Sequence, residues 1–469
     1  MASSLSPADL GGFRSSFSGL LLGPNDEGYD AARGIWNGAI DRRPAAIARC
    51  SSTDQVVAAI RFARDKDLEI AVRGGGHSFA GFSVCDGGLM IDLSGMRKVT
   101  VDPASRRAVA AGGATWGDLD AATQEHGLAV TGGFISHTGI GGLTLGGGIG
   151  HLTRIAGLSC DNLVGAEVVT ADGKVLRAGP DDHADLFWAL RGGGGNFGVV
   201  TSFDYRLHQI GPMVNFGLFF WPADRGAAAL AFGREFVNNA AERTGVFLAA
   251  LSAPPAPFVP EHLQLAPGYA LVAVGYDSAE DFERAIKPIR DAGPLFEFVT
   301  PMPYTMLQQA FDEGAPWGIM GYEKALYLDD LSDGAIDVVV EHAHRRQSPL
   351  SFVPIFVLDG AYARVAEDDT AFGGSRKARY GFNIAAVCPS PELLEADRAW
   401  VRTFWDALLP YSSQGSGSYV NFMAEYDENR VRAAYGPAKY ERLGRIKADY
   451  DPENVFHLNP NIKPALQPA

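Results

Sequence analysis

The first 210 residues carry short apolar runs typical of strands and amphipathic stretches typical of helices. Apolar side chains recur at helical spacing from residue 56 to residue 63, directly after Ser52 and Thr53. The hydroxyl groups of Ser52 and Thr53 are suited to cap a helix N-terminus. An apolar run at 68–72 follows and leads into three consecutive glycines. This stretch predicts a strand, a helix and a second strand in a βαβ-like unit.

Turn signals divide the rest of this region. "VTVDPASRRAVAA" and "AEVVTADGKVLRA" predict two hairpins, the second through Asp172 and Gly173. "TWGDLDAATQEHG" predicts a helix that begins after Thr115 and ends at Gly127. "FGVVTSFDYRL" alternates as a strand does. These strands follow one another too closely for a regular Rossmann succession, so residues 40–210 predict a mixed domain of helices and strands.

The pattern changes near residue 211. Strands are predicted for "VNFGLFFW", "GYALVAVGYDS", "LSFVPIFVLDGAYARV" and "RYGFNIAAV". Between them, "AEDFERAIKPIRDAG" and "SPELLEADRAWVRTFWDALLP" predict amphipathic helices. This succession predicts a second domain of the α+β class with a mainly antiparallel sheet.

Charge and hydropathy limit the range of partners. The chain has 469 residues and a formal net charge of −15. An acidic surface repels phosphate backbones, so nucleic acid is not expected as a partner. No apolar run is long enough for a membrane span, and the N-terminus lacks a signal-peptide pattern. A cytoplasmic protein without membrane contact is therefore expected.

The cysteines give no indication of a metal site. Cys50, Cys85, Cys160 and Cys388 form no C-x-x-C pair, and they are too few for a disulfide framework. No metal ion is predicted for this chain.

Glycine is concentrated between Gly74 and Gly198, in runs such as "RGGGHSFAG", "TGIGGLTLGGGIG" and "RGGGGNFG". Without a Cβ atom, the backbone N–H groups of such runs can approach an anion closely. Residues 193–198 fit G-x-G-x-x-G, but a strand follows where a dinucleotide-binding fold requires a helix. Several runs together favour a closely fitted ligand. His77 and Cys160 are the reactive side chains among them.

The order of these motifs, with "AEVVTADG", "YVNF" and "KADYDPENVFHLNPNI", resembles the FAD-linked oxidases of the berberine-bridge-enzyme-like group. This group belongs to the vanillyl-alcohol-oxidase superfamily, and the resemblance covers about residues 30–210 and 350–463. It implies a two-part FAD-binding domain and an α+β substrate domain with an antiparallel sheet. The implied boundaries are 1–210 and 416–469 for the FAD-binding domain and 211–415 for the substrate domain.

The resemblance also implies how the cofactor is held. In this family the histidine after R-x-G-G bonds to the flavin 8-methyl carbon, and in bicovalent members the cysteine before Asp-Asn bonds to flavin C6. A doubly linked FAD, attached through His77 and Cys160, is therefore expected. The implied FAD-binding residues are Arg73, Gly74, Gly75, Gly76, His77, Ser78, Gly81, Thr138, Gly139, Gly141, Gly142, Gly148, Gly150, His151, Cys160, Asp161, Val199, Asn421 and Asn459.

The implied reaction is hydride transfer to FAD from a C–H bond next to a hydroxyl or amine, aided by a base. The expected substrate is a small alcohol, sugar, phenol or secondary metabolite, and O2 then reoxidises the flavin to give H2O2. Thr138 falls where relatives place a residue that gates oxygen, and its size favours an oxidase. The alternatives are a dehydrogenase with another acceptor and a flavin-binding protein that has lost turnover.

The resemblance to the family is weakest at the residue expected to act as the catalytic base. Many relatives carry Y-x-N-Y near the C-terminus, with the second tyrosine at the substrate. This chain has Tyr419, Asn421 and Phe422 in that motif, and phenylalanine cannot accept a proton. The candidate catalytic bases are Asp359, Tyr380 and Tyr419. Each has a structural alternative, which is a turn for the aspartate and core packing for the two tyrosines.

Overall fold

The computed structural model describes residues 5–413 and 417–466. A small mixed sheet opens the fold. Its strands, in spatial order, are β1 (Leu20–Leu22), β2 (Ala46–Arg49), β4 (Leu89–Asp92) and β3 (Ile70–Arg73). β2, β4 and β3 are parallel, and β1 is antiparallel to β2. The predicted helix is present at Thr53–Asp65, and the Ser52 hydroxyl accepts a hydrogen bond from the Gln55 amide as its cap.

A second, antiparallel sheet follows. Its strands, in spatial order, are β5 (Val99–Asp102), β6 (Arg107–Ala111), β10 (Val199–Arg206), β8 (Leu163–Val169) and β9 (Val175–Ala178). β5–β6 and β8–β9 are the two predicted hairpins. The helix predicted after Thr115 is present at Trp116–Gln124, and it begins with a capping box between Thr115 and Asp118. A short ribbon joins β7 (Leu128–Ala129) to β11 (His208–Gln209).

The third sheet has seven strands and is called the large sheet below. Its strands, in spatial order, are β15 (Phe296–Pro303), β12 (Met213–Pro222), β14 (Pro267–Gly275), β13 (Thr244–Ser252), β17 (Val353–Val357), β18 (Tyr380–Cys388) and β16 (Met320–Leu328). All neighbours are antiparallel, which confirms the predicted α+β architecture. The predicted boundaries at 210 and 415 stay predictions, and the second falls outside the described residues.

Helices connect and cover the sheets. They are Pro7–Ser16, Tyr29–Arg33, Thr53–Asp65, Trp116–Gln124, Ile140–Gly146, Thr153–Ala156, Ala184–Leu190, Gly226–Asn239, Ala279–Asp291, Tyr304–Gln309, Asp333–His342, Ala361–Arg364, Pro391–Leu408, Glu428–Tyr435 and Pro437–Tyr450. Within residues 5–413 and 417–466, none of them has the length and apolar character that a membrane span requires.

The two faces of the large sheet have different neighbours. One face packs against helices that include Ala279–Asp291 and Pro391–Leu408, and it forms the largest apolar core. Side chains alternate along each strand, so the other face carries Ala325, Tyr327 and Phe356, which pack against the glycine-rich region. The candidate site therefore lies between this second face and the first 210 residues.

Candidate functional site

Two glycine-rich segments meet backbone to backbone. A Cβ atom on Gly75 would lie 2.1 Å from the amide nitrogen of Gly139, and one on Gly139 would lie 2.2 Å from that of Gly75. Neither position has room for a side chain. Gly142, in the helix that follows, is exposed and has no atom within 4 Å of its Cβ position. The contact joins the loop that carries His77 (the His77 loop) to this helix, and the surface at Gly142 stays open.

His77 ends the first glycine run and is surrounded by rings. Its Nε2 lies 2.6 Å from Nδ1 of His137. Trp36 stacks on the His77 ring with centroids 5.3 Å apart, and Trp317 meets it edge-on at 5.7 Å. Burial, with a smaller contribution from His137, lowers the pKa of His77 to about 3. His77 is therefore a neutral imidazole at physiological pH, and Nδ1 is the nitrogen that His137 does not engage.

Cys160 is fully buried in an apolar group called the Cys160 cluster below. Both parts of the chain contribute to this cluster, whose other members include Ile149, Leu158, Ala325, Tyr327, Phe356, Leu358, Tyr362, Phe372 and Tyr419. Burial raises the pKa of Cys160, and the neighbouring carboxylate of Asp161 raises it further. The side chain is thus held as a protonated thiol against the large sheet.

Asp161 forms a buried ion pair with Arg376. Its two carboxylate oxygens accept hydrogen bonds at 2.9 and 2.7 Å from the two terminal nitrogens of the guanidinium group. The side chains of Arg376 and Asp161 are only 3% and 4% exposed. The rings of Tyr362 and Phe372 each lie 5.0 Å from the guanidinium carbon. This pair fixes the turn that carries Cys160 against the segment that precedes β18.

Replacing Arg376 by methionine is expected to lower the free energy of unfolding by about 3–5 kcal/mol, because the Asp161 carboxylate is left buried and unpaired. Arg345→Met is the control, because Arg345 forms an exposed pair with Glu341 whose loss costs less than about 1 kcal/mol. Urea unfolding followed by circular dichroism measures both changes. Equal losses in the two variants would contradict the role given to the buried pair.

Tyr419 and Asn421 tie the C-terminal segment to the glycine-rich region. The Tyr419 hydroxyl accepts hydrogen bonds from the Gly148 amide at 2.7 Å and from the Asn421 side chain at 2.9 Å. Asn421 also donates to the carbonyl of Leu143 at 3.0 Å. Burial raises the pKa of Tyr419, so its phenol stays protonated. These contacts bring two predicted site residues together.

Phenylalanine rings and His151 border a small cavity beside the Cys160 cluster. The rings that line it belong to Phe134, Phe247 and Phe356, and the rings of Phe311 and Phe422 pack against two of these. His151 meets the edge of Phe134 at 4.7 Å, and its Nε2 has no hydrogen-bond partner within the described residues. Burial lowers the pKa of His151 to about 3, so this imidazole is neutral. Thr153 and Arg154 also line the cavity, so its wall is partly aromatic and partly polar.

The other two predicted bases have different surroundings, because Asp359 pairs with Arg154, which lines the cavity, whereas Tyr380 lies in an apolar core. Oδ1 of Asp359 is 2.9 Å from Nε of Arg154, and burial raises the pKa of the carboxyl despite this charge. Tyr380 begins β18 and packs with Phe382 in the core under the helices. This core lies on the opposite face of the large sheet from Ala325 and Phe356, so the structure does not bring Tyr380 together with Tyr419.

Comparison with known proteins identifies the family. Residues 44–179 match the family of FAD binding domains, and residues 418–463 match the berberine and berberine-like family. An FAD-linked oxidoreductase of Dictyostelium discoideum is 30% identical over 455 residues, which are 96% of each chain. The (R)-6-hydroxynicotine oxidase of Paenarthrobacter nicotinovorans is 31% identical over 465 residues, which cover 96% of this chain and 97% of that protein. The chain is a berberine-bridge-enzyme-like FAD-linked oxidoreductase.

Solved structures agree with this assignment. The crystal structure of 6-hydroxy-D-nicotine oxidase from Arthrobacter nicotinovorans matches with a TM-score of 0.84 at 28% identity, over 99% of this chain and 100% of that one. Glucooligosaccharide oxidase from Acremonium strictum, described with a 6-S-cysteinyl, 8α-N1-histidyl FAD, matches with a TM-score of 0.84 at 25% identity, over 98% of this chain and 100% of that one. The predicted family and its enzymatic nature are confirmed.

In this FAD-linked oxidoreductase, several other predicted FAD-binding residues lie in or near the loop that carries His77. The Arg73 guanidinium lies 5.8 Å from the centre of the Trp317 ring. Ser78 caps the following turn, because its hydroxyl accepts a hydrogen bond from the Phe82 amide at 3.1 Å. The Thr138 carbonyl accepts a hydrogen bond from the Trp116 amide at 3.0 Å. The roles of these residues toward FAD stay predictions.

Three further predicted FAD-binding residues, Val199, Asn459 and Gly150, have close structural neighbours, and their roles toward FAD also stay predictions. The Val199 side chain is buried in an apolar core with Phe456. Asn459 donates from its side-chain amide to the carbonyl of Gly195 at 3.2 Å, and this bond docks the C-terminal tail. Gly150 passes so close to Gly132 that its Cβ would lie 1.6 Å from the Gly132 carbonyl oxygen. These positions stabilise the architecture of the oxidoreductase around the site.

Glu323 on β16 is a buried acid that the sequence reasoning missed. Its Oε2 accepts a hydrogen bond from the Asn383 amide at 2.9 Å, and its Oε1 has no partner within the described residues. Burial raises the pKa of Glu323 to about 8. A glutamate in an edge strand usually faces water, so the only signal was a lone acid between the small residues Gly321 and Ala325.

Proposed function

We propose that this protein is an FAD-linked oxidase whose flavin is bound covalently through His77 and Cys160. The supporting observation is the course of β16, which runs from the surroundings of His77 to the Cys160 cluster. A Cβ on Gly321 would lie 2.6 Å from the Phe79 ring, two residues after His77, whereas Ala325 belongs to the Cys160 cluster. A neutral imidazole and an enclosed thiol therefore border one face of the large sheet.

The residues present fit an FAD molecule. The close approach of Gly75 and Gly139, together with the open position of Gly142, gives a main-chain surface on which no side chain obstructs a pyrophosphate. Bound there, FAD would supply the hydride acceptor that no amino-acid side chain provides. His77 and Cys160 would hold its ring, and the phenylalanine rings beside the Cys160 cluster would contact the substrate.

The contact with His137 favours Nδ1 of His77 as the linking atom. His137 engages Nε2, fixes the ring and leaves the other nitrogen for the bond. Each attachment replaces a C–H of the flavin and the N–H or S–H of the side chain by one covalent bond. The two hydrogens are removed by O2, which becomes H2O2. Glucooligosaccharide oxidase, with its N1-histidyl and 6-S-cysteinyl links, offers a precedent within the same fold.

The substrate is proposed to be a small alcohol, amine, phenol or secondary metabolite with an apolar body. The phenylalanine rings around the cavity support this class, because aromatic walls bind apolar and aromatic groups best. A sugar is a weaker fit to such walls, although the fold also occurs in a chitooligosaccharide oxidase. (R)-6-hydroxynicotine, named for a relative at 31% identity, is the first compound to test.

Oxygen is proposed as the electron acceptor. Relatives and structural neighbours that are named oxidases support it, as does the moderate size of Thr138 at the predicted oxygen gate. An aerobic screen of alcohols, amines, phenols and sugars is expected to give one H2O2 for each O2 consumed. An oxygen electrode and a peroxidase-coupled assay measure the two quantities, and an anaerobic sample is the control.

The same screen separates the alternatives. A dye that is reduced by substrate while no oxygen is consumed would indicate a dehydrogenase. A flavin that stays oxidised with every compound would indicate a flavin-binding protein that has lost turnover. A protein without any flavin would contradict the proposal altogether.

A further inference from the structure

We infer that Glu323, oriented by Asn383, accepts the proton of the substrate during hydride transfer. This inference rests on the proposed oxidase function. The O–H or N–H bond of the substrate breaks and its proton moves to Glu323, and bound FAD would accept the hydride from the adjacent C–H bond as that bond breaks. A C=O or C=N bond forms in the product. O2 then takes up the hydride and the proton and leaves as H2O2.

The position of Glu323 along β16 is the first argument. Side chains of alternate residues share one face of a strand, so Gly321, Glu323, Ala325 and Tyr327 point the same way. Gly321 contacts Phe79 and Trp36, and Trp36 stacks on His77. Ala325 and Tyr327 belong to the Cys160 cluster. Glu323 lies about 7 Å along the strand from each of its two neighbours on this face, between the two proposed flavin anchors.

The charges on the opposite face do not reach this carboxyl group. Tyr322 and Lys324 alternate with Glu323, and their contacts are Arg402 and Trp405 on the helix-covered face. From the C-terminal segment, Tyr426 is the titratable group that interacts with Glu323, and burial holds that phenol in its protonated form. Within the described residues, no cation pairs with Glu323.

The hydrogen bonding of Glu323 supports a role beyond packing. β16 and β18 pair so that Asn383 lies opposite Ala325, diagonally across from Glu323. The Asn383 amide orients one carboxylate oxygen, and Oε1, fully buried, has no partner within the described residues. A buried polar atom without a partner costs free energy, so its retention indicates a ligand that completes the site. A substrate hydroxyl or amine supplies the missing hydrogen bond.

The segment that carries Phe422 runs beside Glu323. The amide of Ala424, two residues after Phe422, donates to the Glu323 carbonyl at 3.4 Å. Phe422 itself stacks on Phe356 with centroids 5.8 Å apart. The side chain of Phe422 cannot accept a proton, and the nearest strand offers a carboxylate instead. The residue that accepts the proton therefore belongs to β16 in this chain and not to the C-terminal segment.

The predicted alternatives fit this role less well. Asp359 is already paired with Arg154, which also donates to the carbonyls of Thr244 and Ala240 at 3.0 Å and so links two parts of the chain. Tyr419 uses its oxygen to accept two hydrogen bonds, and its raised pKa disfavours the phenolate that a base requires. Glu323 has both a free oxygen atom and a pKa of about 8, close to the range suited to a general base.

A sulfite titration tests the inference without knowledge of the substrate. Sulfite adds to oxidised flavin as an anion and bleaches its absorbance, so an ionised Glu323 beside the ring weakens its binding. In the wild-type holoenzyme, we expect the sulfite affinity to fall about tenfold more between pH 6 and 9.5 than in Glu323→Gln. Glu425→Gln is the matched control, because Glu425 pairs with Arg402 and Arg430 in a half-exposed position. The ionisation of sulfite itself is common to all three proteins.

Flavin reduction by a substrate from the aerobic screen supplies the kinetic test. We expect Glu323→Gln to slow anaerobic reduction by about 10²–10⁴-fold, Glu323→Asp to restore part of the rate, and Glu425→Gln to match the wild type. The wild-type rate should rise with pH through about 8, because only the ionised carboxylate accepts a proton. Glu323→Gln should lose this rise.

Failure of the proposed oxidase function and failure of the Glu323 assignment would give different results. A colourless protein, or one that no compound reduces, would contradict the oxidase function itself. A yellow protein in which Glu323→Gln and wild type give the same sulfite titration would overturn only the assignment of Glu323. A rate loss of the expected size in Asp359→Asn or Tyr419→Phe, with none in Glu323→Gln, would move the role to that residue.

Discussion

Alanine at both His77 and Cys160 is expected to abolish covalent attachment of flavin, and each single replacement is expected to leave one bond. The physical reason is that His77 and Cys160 are the reactive side chains that border the proposed ring site. Denaturation in acid, followed by flavin fluorescence of the polypeptide on a gel, measures what stays attached. The reduction potential of the bound flavin should fall with each bond that is lost, because each bond withdraws electron density.

Cys50→Ala is the matched control for this series. Cys50 is also fully buried, and burial raises the pKa of its thiol to about 12, but it lies in the apolar core beside the helix Thr53–Asp65. Its replacement should leave both bonds intact. Flavin that remains on the polypeptide after His77 and Cys160 have both been replaced would show that other side chains form the links.

Alanine at Gly139 is expected to cost about 3 kcal/mol or more of folding free energy, because the new Cβ would overlap the backbone of Gly75 at 2.2 Å. Backbone atoms cannot turn aside as a flexible side chain can, so the two glycine segments must separate. Thermal unfolding followed by circular dichroism should show a lower midpoint, and flavin content should fall with it. The φ of Gly139 is −67°, so strain at a positive φ is not the cause.

Gly142→Ala is the control, because Gly142 lies in the helix Ile140–Gly146 whose N-cap residue is Gly139. Its Cβ position has no atom within 4 Å, and alanine favours a helix by about 1 kcal/mol over glycine. This variant should fold at least as well as the wild type. If FAD lies on the open glycine surface, the same variant should bind the cofactor less well, which separates the folding role of Gly139 from a binding role of Gly142. Equal unfolding midpoints for both variants would contradict the close approach.

The parts of the fold that depend on neighbouring residues could be predicted from the sequence. Ser52 caps its helix, and Thr115 and Asp118 form a capping box, because such contacts span only three residues. The hairpin through Asp172 and Gly173 has the same local origin. The strand order of the large sheet could not be predicted, because β16 pairs directly with β18, although β17 lies between them in the sequence. β13, β15 and β16 were also missed as strands.

In the site, too, local motifs could be predicted from the sequence and contacts between distant residues could not. His77 and Cys160 stand out because each belongs to a motif that can be recognised in a short stretch of sequence. Arg376 is 215 residues from its partner Asp161, and Asn383 is 60 residues from Glu323, so only the folded chain reveals these pairs. The predicted base Tyr380 illustrates the converse. Its strand was predicted, but the sequence alone does not tell which face of a strand buried on both sides meets the site.

The mass of the intact wild-type polypeptide under denaturing conditions tests the central claim most directly. The account predicts a chain heavier than its sequence by one FAD, less the hydrogens lost in forming two bonds, and a single cross-linked peptide pair that contains both His77 and Cys160 after digestion. A polypeptide with the mass of its sequence alone, with all flavin free in the supernatant, would contradict covalent attachment.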